Sequence, residues 1–197
     1  MESSQKKKIR IAIFASGSGT NTERIIKYFE KDEDITIGSV FTNNQNAYVI
    51  TRAKQYYIPV FTFNREEFYK TTRVLDILQE QKADFIILAG FLWLVPPHII
   101  KPFEGRILNI HPALLPNYGG KGMYGENVHK AVWENGETET GITIHKVNEK
   151  YDEGDVVFQE KIILSREDTP ETIAAKVHEL EYAHFPRIIK QFVTSGV

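Results

Sequence analysis

The chain has 197 residues, 42% of them hydrophobic and 25% charged, with a formal net charge of -2. That length favours one domain around a single core, and the near balance of charge argues against nucleic acid as a partner. Zero cysteines exclude disulfides, thiolate metal sites and thiol nucleophiles.

The basic triplet Lys6-Lys7-Lys8 precedes an apolar segment over residues 9–15. A signal peptide would carry a longer apolar core and a small-residue cleavage site. Here Arg10 interrupts the run and Ser16-Gly17-Ser18-Gly19 ends it, so residues 9–15 read as a first buried strand. No run approaches the length of a transmembrane helix. The expectation is a cytoplasmic protein with no membrane partner, monomeric or homodimeric.

Residues 21–30 read as a helix with Ile25, Ile26 and Phe29 on its inner face. Residues 35–42 form a second strand ending at Asn43-Asn44, followed by a helix over 47–56 and a short strand over 60–62. Asn64 and Glu67 have the spacing of a capping box, opening one helix whose apolar stripe is Phe68, Val74, Leu75 and Leu78. Residues 84–89 and 106–110 are apolar strand interiors, as expected where helices cover both faces of a parallel sheet. Residues 140–147 and 155–164 then read as an antiparallel pair around the loop 148–154. Thr169-Pro170-Glu171 opens a last helix, which Pro186 should kink or interrupt. The alternation predicts an α/β fold: a doubly wound, mainly parallel Rossmann-like sheet with an antiparallel extension in the C-terminal half.

The turn Gly17-Ser18-Gly19-Thr20-Asn21 lies between a strand and a helix, where free N–H groups and the helix dipole favour an anion. A dinucleotide fingerprint is incomplete, because Thr22 replaces the third glycine and Asn43-Asn44 replaces the ribose-binding acid. The turn therefore fits a small phosphate held by the Gly19 and Thr20 amides, with help from Asn21. The alternative is a plain strand-to-helix turn with Thr20 or Asn21 as N-cap.

Asn109-Ile110-His111-Pro112 follows an apolar strand, and alternate residues of an extended segment point the same way. Asn109 and His111 can therefore meet at one substrate atom, with Pro112 and Pro116 restraining the turn. Downstream, Asp152, Glu153 and Asp155 offer carboxylates, and the residues themselves do not choose among them. A carboxamide donor, an imidazole and an acid suit transfer of a carbonyl group without a metal. His98, His129, His178 and His184 lack this setting and read as surface or packing; His145, two residues after Thr143 in an alternating strand, is the exception. The apolar loop Leu92-Trp93-Leu94-Val95 could take a flat aromatic ligand or simply pack, and Gly119-Gly120-Lys121-Gly122-Met123 reads as a mobile flap.

Together, the glycine turn, Leu88-Ala89-Gly90-Phe91, the Asn109–Pro116 segment and Asp152-x-Gly154 resemble the phosphoribosylglycinamide (glycinamide ribonucleotide) formyltransferases over nearly the whole chain. The resemblance implies transfer of formyl from the co-substrate 10-formyltetrahydrofolate to the ribonucleotide amine in purine synthesis, directly, through a tetrahedral intermediate. It implies a single domain over 1–197, with a phosphate-binding half over 1–105 and a catalytic and folate-binding half over 106–197. Asn109, His111 and Asp152 would be catalytic, Asp152 being the acid that raises the pKa of His111. Gly19, Thr20 and Asn21 would hold the phosphate, and Gly90, Pro112 and Glu181 would contact the ribonucleotide. Arg65, Leu92, Trp93, Leu94 and Val95, with Asn109 and the segment Asn148, Glu149, Lys150, Tyr151 and Asp152, would hold the folate. Leu92-Trp93 departs from the family's common Met-Arg, and the flap lacks a frequent histidine. Rival readings are a sugar-nucleotide formyltransferase and a non-catalytic nucleotide-binding module.

Overall fold

The computed structural model describes residues 7–195, so Lys6 lies outside the described residues. Runs of β-branched and aromatic residues alternate with amphipathic stretches in the first half of the chain, and each run becomes a strand, with β4 and most of β1 and β2 buried on both faces and the edge strand β3 only half-buried. The order is β1 (Ile9–Phe14), α1 (Thr20–Phe29), β2 (Ile35–Thr42), α2 (Val49–Gln55), β3 (Val60–Thr62), α3 (Arg65–Tyr69), α4 (Arg73–Glu80) and β4 (Phe85–Leu88). Then come α5 (Pro97–Ile100), β5 (Ile107–His111), α6 (Glu126–Glu134), β6 (Glu139–Lys146), β7 (Val156–Ile163) and α7 (Pro170–Thr194).

The strands form one sheet in the order β3-β2-β1-β4-β5-β6-β7. The first five run parallel, β6 is antiparallel to β5, and β7 is antiparallel to β6. Strand alternation splits the core in two. Ile11 and Ile13 face a layer containing Ile25 and Phe29 of α1, Val49 of α2, Val128 and Val132 of α6, and Val177 and Ile189 of α7. Ala12 and Phe14 face the opposite layer, with Phe68, Val74, Leu78 and Ile99. A side chain buried to this degree contributes about 1.5–3 kcal/mol, so the sheet is a rigid mount for whatever its carboxyl edge carries.

Two expectations need correction. The helix expected after Asn64 is two helices. The Asn64/Glu67 capping box forms as expected, but the helix stops after Tyr69. Thr71 Oγ1 donates to the Glu67 carbonyl and accepts from the Arg73 N–H, while Thr72 Oγ1 donates to Asp76. Hydroxyls that capture local backbone groups in this way compete with helix continuation. The last helix, conversely, runs through Pro186 without interruption. Phe185, Pro186, Ile188 and Ile189 are all buried, and that packing outweighs the ~3 kcal/mol that an interior proline costs. Helix α6 was not anticipated: only Val128, His129 and Val132 form its buried face, too short a stripe to stand out.

The strand order reverses between β1 and β4, where open α/β sheets leave a crevice at their carboxyl ends. The loops after β1, β4 and β5 all open into it.

Candidate active site

A cleft of about 600 Å³ occupies that crevice, within the range of sites for small organic ligands. At one end lies the glycine turn. Gly19 is the N-cap of α1 with φ 73°, and no side chain caps the helix, so the first N–H groups of α1 remain available to an anion. The residue capping this helix is thus Gly19 rather than Thr20 or Asn21. A Cβ on Gly19 would sit 2.5 Å from Val49 Cγ2, so both the left-handed backbone and the close approach of α2 demand glycine. From behind, the Val49 N–H donates to the Gly17 carbonyl (3.2 Å) and Arg52 Nε donates to the Ser18 carbonyl (2.9 Å). Arg52 also pairs with Glu23, which leaves it as a brace for the turn.

At the other end, antiparallel pairing of β5 with β6 sets Asn109 opposite His145 and His111 opposite Thr143. Thr143 Oγ1 donates to the Ala113 carbonyl (2.7 Å) and accepts from the Leu115 N–H (3.0 Å), tying down the proline-bounded turn. His145 Nδ1 lies 2.9 Å from the Lys146 carbonyl and is the donor there, so in the neutral ring Nε2 accepts from Asn109 Nδ2 at 3.0 Å. Asp152 reaches in from the β6–β7 loop in a left-handed conformation, φ 53°. Its Oδ2 accepts from the Gly120 N–H (3.0 Å) and lies 3.6 Å from His111 Nδ1; its Oδ1 lies 3.5 Å from His145 Nε2. Gly154 makes this approach possible, since a Cβ there would meet the Lys146 carbonyl oxygen at 1.7 Å.

The electrostatics correct one expectation. Burial lowers the pKa of His111; the Asp152 charge and the Tyr118 carbonyl, which accepts from Nε2 at 2.7 Å, push it back up without restoring it. Asp152 therefore acts on His111 in the expected direction, but desolvation of the ring wins and the net shift is downward. Burial pushes Asp152 up, yet the neighbouring imidazoles of His145 and His111 and the hydrogen bond from the Gly120 N–H hold its carboxyl below the ordinary range. Glu181 is raised by burial, partly offset by Asn21 Nδ2, which donates to it at 2.8 Å, and by the charge of His178.

Most sequence-derived candidates meet in this one cleft. Gly19, Thr20, Asn21, Gly90, Pro112 and Glu181 line it, as do Asn109, His111 and Asp152. Arg65, Leu92, Trp93, Leu94, Val95, Lys150 and Tyr151 form the wall beyond them. Asn148 and Glu149 lie outside the lining; Asn148 accepts from the Lys150 N–H and donates to the Glu153 carbonyl, shaping the loop from its solvent side. His145, the exception among the remaining histidines, lines the cleft, and so do His129 and His178, which the sequence reading assigned to surface or packing; the position of His178 three residues before Glu181 on one helix is the signal for it. His129 is buried, with burial first among the causes that bring its pKa down to about 4. The glycine-rich segment Gly120–Gly125 forms one wall of the cleft.

A glycine turn with open helix N–H groups and a carboxamide–imidazole–carboxylate set sharing one crevice suit group transfer on an anionic substrate. The chain belongs to the formyl transferase family, whose model matches residues 9–189. It is 38% identical over 188 residues to the phosphoribosylglycinamide formyltransferase of Haemophilus influenzae, covering 93% of this chain and 86% of that protein. The chloroplastic phosphoribosylglycinamide formyltransferase of Arabidopsis thaliana is 36% identical over 199 residues, 95% of this chain, which spans 66% of the plant protein's length. The crystal structure of phosphoribosylglycinamide formyltransferase from Bacillus halodurans superposes with a TM-score of 0.85 at 34% identity, covering 95% of this chain and 97% of that one.

Proposed function

We infer that the chain transfers the formyl group of 10-formyltetrahydrofolate to the amine of 5-phosphoribosylglycinamide, giving formylglycinamide ribonucleotide and tetrahydrofolate in purine biosynthesis. The observation that carries this reading is the convergence of Asn109, His111 and Asp152 in the same cleft as the uncapped start of α1. The nucleotide phosphate would lie on the Gly19, Thr20 and Asn21 turn, with Glu181 beside the ribonucleotide. A formyl-folate co-substrate, which membership of the family implies, would lie along Leu92-Trp93-Leu94-Val95 and the loop carrying Tyr151 and Asp152. When bound, it supplies the activated formyl group.

The chemistry follows from the charges. As the amine attacks the formyl carbon, negative charge grows on the formyl oxygen, and an amide donor such as Asn109 Nδ2 is worth ~3 kcal/mol against it. His111 starts neutral because it is buried. It takes the proton that the attacking amine must lose, and the resulting imidazolium is stabilised by Asp152 and the Tyr118 carbonyl. That proton then passes to the leaving folate nitrogen. A base with a lowered pKa keeps working below the usual imidazole range, so kcat/KM is expected to fall only as pH drops beneath about 6.5. Release of tetrahydrofolate, followed by absorbance and dependent on added ribonucleotide, tests the reaction. Tight ribonucleotide binding without release would favour a non-catalytic module instead.

A further inference from the structure

Among the described residues, four other than glycine hold a positive φ: Tyr57, Lys82, Tyr118 and Asp152. That conformation is costly for a residue with a Cβ and persists only where the surroundings enforce it. Tyr57 and Lys82 directly follow the C-caps of α2 and α4. The residues after them donate back into the last helical turns, Ile58 N–H to the Ala53 carbonyl and Ala83 N–H to the Leu78 carbonyl. Both are therefore helix endings. Tyr118 and Asp152 end no helix. What they share is His111: the Tyr118 carbonyl accepts from its Nε2 at 2.7 Å, and Asp152 Oδ2 lies 3.6 Å from its Nδ1.

Tyr118 is held from outside the cleft. Its ring packs against the core layer that includes Val128 and Val132 of α6. Its hydroxyl donates to Glu137 Oε1 at 2.6 Å and accepts from Asn135 Nδ2 at 2.9 Å. Asn135 is the C-cap of α6, and neither it nor Glu137 lines the cleft; both are exposed. Two residues past Tyr118, the Gly120 N–H donates to Asp152 Oδ2 at 3.0 Å. Gly119 between them leaves no room for a side chain, since a Cβ would meet Leu115 Cδ2 at 2.6 Å. The backbone of residues 118–120 thus grips both members of the imidazole–carboxylate pair, and the Tyr118 hydroxyl anchors it.

A ring nitrogen that donates to a carbonyl keeps its proton, and the other nitrogen of the neutral ring is then the base. We propose that Tyr118, anchored by Glu137 and Asn135, is a positioning residue whose carbonyl fixes the His111 proton on Nε2 and leaves Nδ1 to take the proton of the attacking amine. Nδ1 gains that proton while Nε2 keeps its own. The imidazolium is then held between the Tyr118 carbonyl and the Asp152 carboxylate, until Nδ1 gives the proton to the leaving folate nitrogen. This step rests on the formyl-transfer reading. The opposite tautomer would block Nδ1 with a proton and set a bare Nε2 against a carbonyl oxygen.

Heteronuclear NMR of protein labelled at its histidine nitrogens reads the tautomer without turnover, the His111 signals being identified by their loss in His111→Gln. The neutral ring is expected to show a protonated Nε2 and a bare Nδ1; a protonated Nδ1 in the wild type overturns the proposal. Tyr118→Phe keeps the ring and drops its anchor, while Glu137→Ala, at an exposed site, removes only the acceptor. Each should mix the tautomers and lower kcat about three- to tenfold, the scale of one hydrogen bond, with ribonucleotide KM unchanged. The Tyr118 carbonyl raises the His111 pKa, so the acid limb of kcat/KM should also move to lower pH. Asp152, His145 and His129, the other titratable groups facing the ring, stay in place in both variants. Glu137→Gln, which still offers an oxygen to the hydroxyl, should keep the wild-type tautomer and limb. If Tyr118→Phe and Glu137→Ala lower kcat or stability but leave tautomer and acid limb unmoved, Tyr118 merely packs and the proposal fails. No turnover in a wild type that shows the expected tautomer would instead overturn the formyl-transfer reading.

Discussion

The two ends of the cleft are built from different materials. The end proposed for the phosphate is backbone: a left-handed Gly19, free N–H groups at the start of α1, and two carbonyls braced by Val49 and Arg52. The reaction end is side chains from β5, β6 and the loop after β6, each oriented by a partner that is distant in sequence. Backbone at a helix start carries a fixed partial charge and does not titrate. Side-chain chemistry is tunable, and it depends on strand register. Substitutions at one end are therefore expected to change binding, and at the other to change turnover and its pH dependence.

The largest effects are expected at the reaction end. His111→Ala and Asp152→Asn should each lower kcat about 10³-fold, the range for a lost acid/base or its charged partner. Ribonucleotide affinity, measured by calorimetry, should change little in either variant. A fall in affinity as large as the fall in kcat would show that the two ends are not separable.

Gly19→Ala attacks the other end. The new methyl meets Val49 while the backbone needs a positive φ, so a loss of about 2–3 kcal/mol is expected, shared between folding and phosphate binding. Ribonucleotide KM should rise strongly in the fraction that folds, with kcat at saturation much less affected. An unchanged KM would take the turn out of the phosphate site.

This contrast also explains what could be read from the sequence. The glycine turn is local, so its proposed role can be read from five consecutive residues and their place between β1 and α1. Most strands were legible for a similar reason, because β4 is a continuous apolar run and β1 and β5 are apolar but for Arg10 and for Asn109 and His111. Asn109 and His111 were legible as an i, i+2 pair, and antiparallel pairing then adds His145, whose place beside Asn109 depends on a register between segments 36 residues apart. The choice of Asp152 over Glu153 and Asp155 came from resemblance, and its cause lies in three dimensions: Gly120 and two imidazoles face that one carboxylate. The net pKa of His111 was misjudged because charge pairs can be guessed from sequence, whereas the depth of burial cannot.

A pH titration of stability separates the ends again. His129 is buried in its neutral form, its folded pKa of about 4 lying below the ordinary 6.5. Between those values the unfolded chain binds more protons, so stability is full above 6.5 and declines as pH falls toward 4. The contribution is on the order of 3 kcal/mol. Asp152, with its depressed pKa, adds a loss of the same sign at still lower pH. Urea melts of His129→Gln should be flatter between pH 6.5 and 4 than those of the wild type; identical curves would mean that His129 is not the group responsible.

The smallest effect bears most directly on whether the phosphate end is a backbone device. Arg52 lies beside the turn, and a cation there invites the reading that it binds phosphate itself. Its geometry argues otherwise: Nε is committed to the Ser18 carbonyl, another nitrogen to Glu23, and the guanidinium lies over the Tyr48 ring. Arg52→Gln removes the charge and the brace to Ser18 but leaves the Val49 N–H on Gly17. If Arg52 only braces, ribonucleotide KM should rise about two- to fivefold, the worth of one hydrogen bond, and this increment should depend little on salt. A direct phosphate contact would instead cost more and weaken steeply with ionic strength, as exposed charge pairs do. Measuring KM at low and high salt in both proteins distinguishes them, because a brace made through a carbonyl oxygen has no ligand charge to screen.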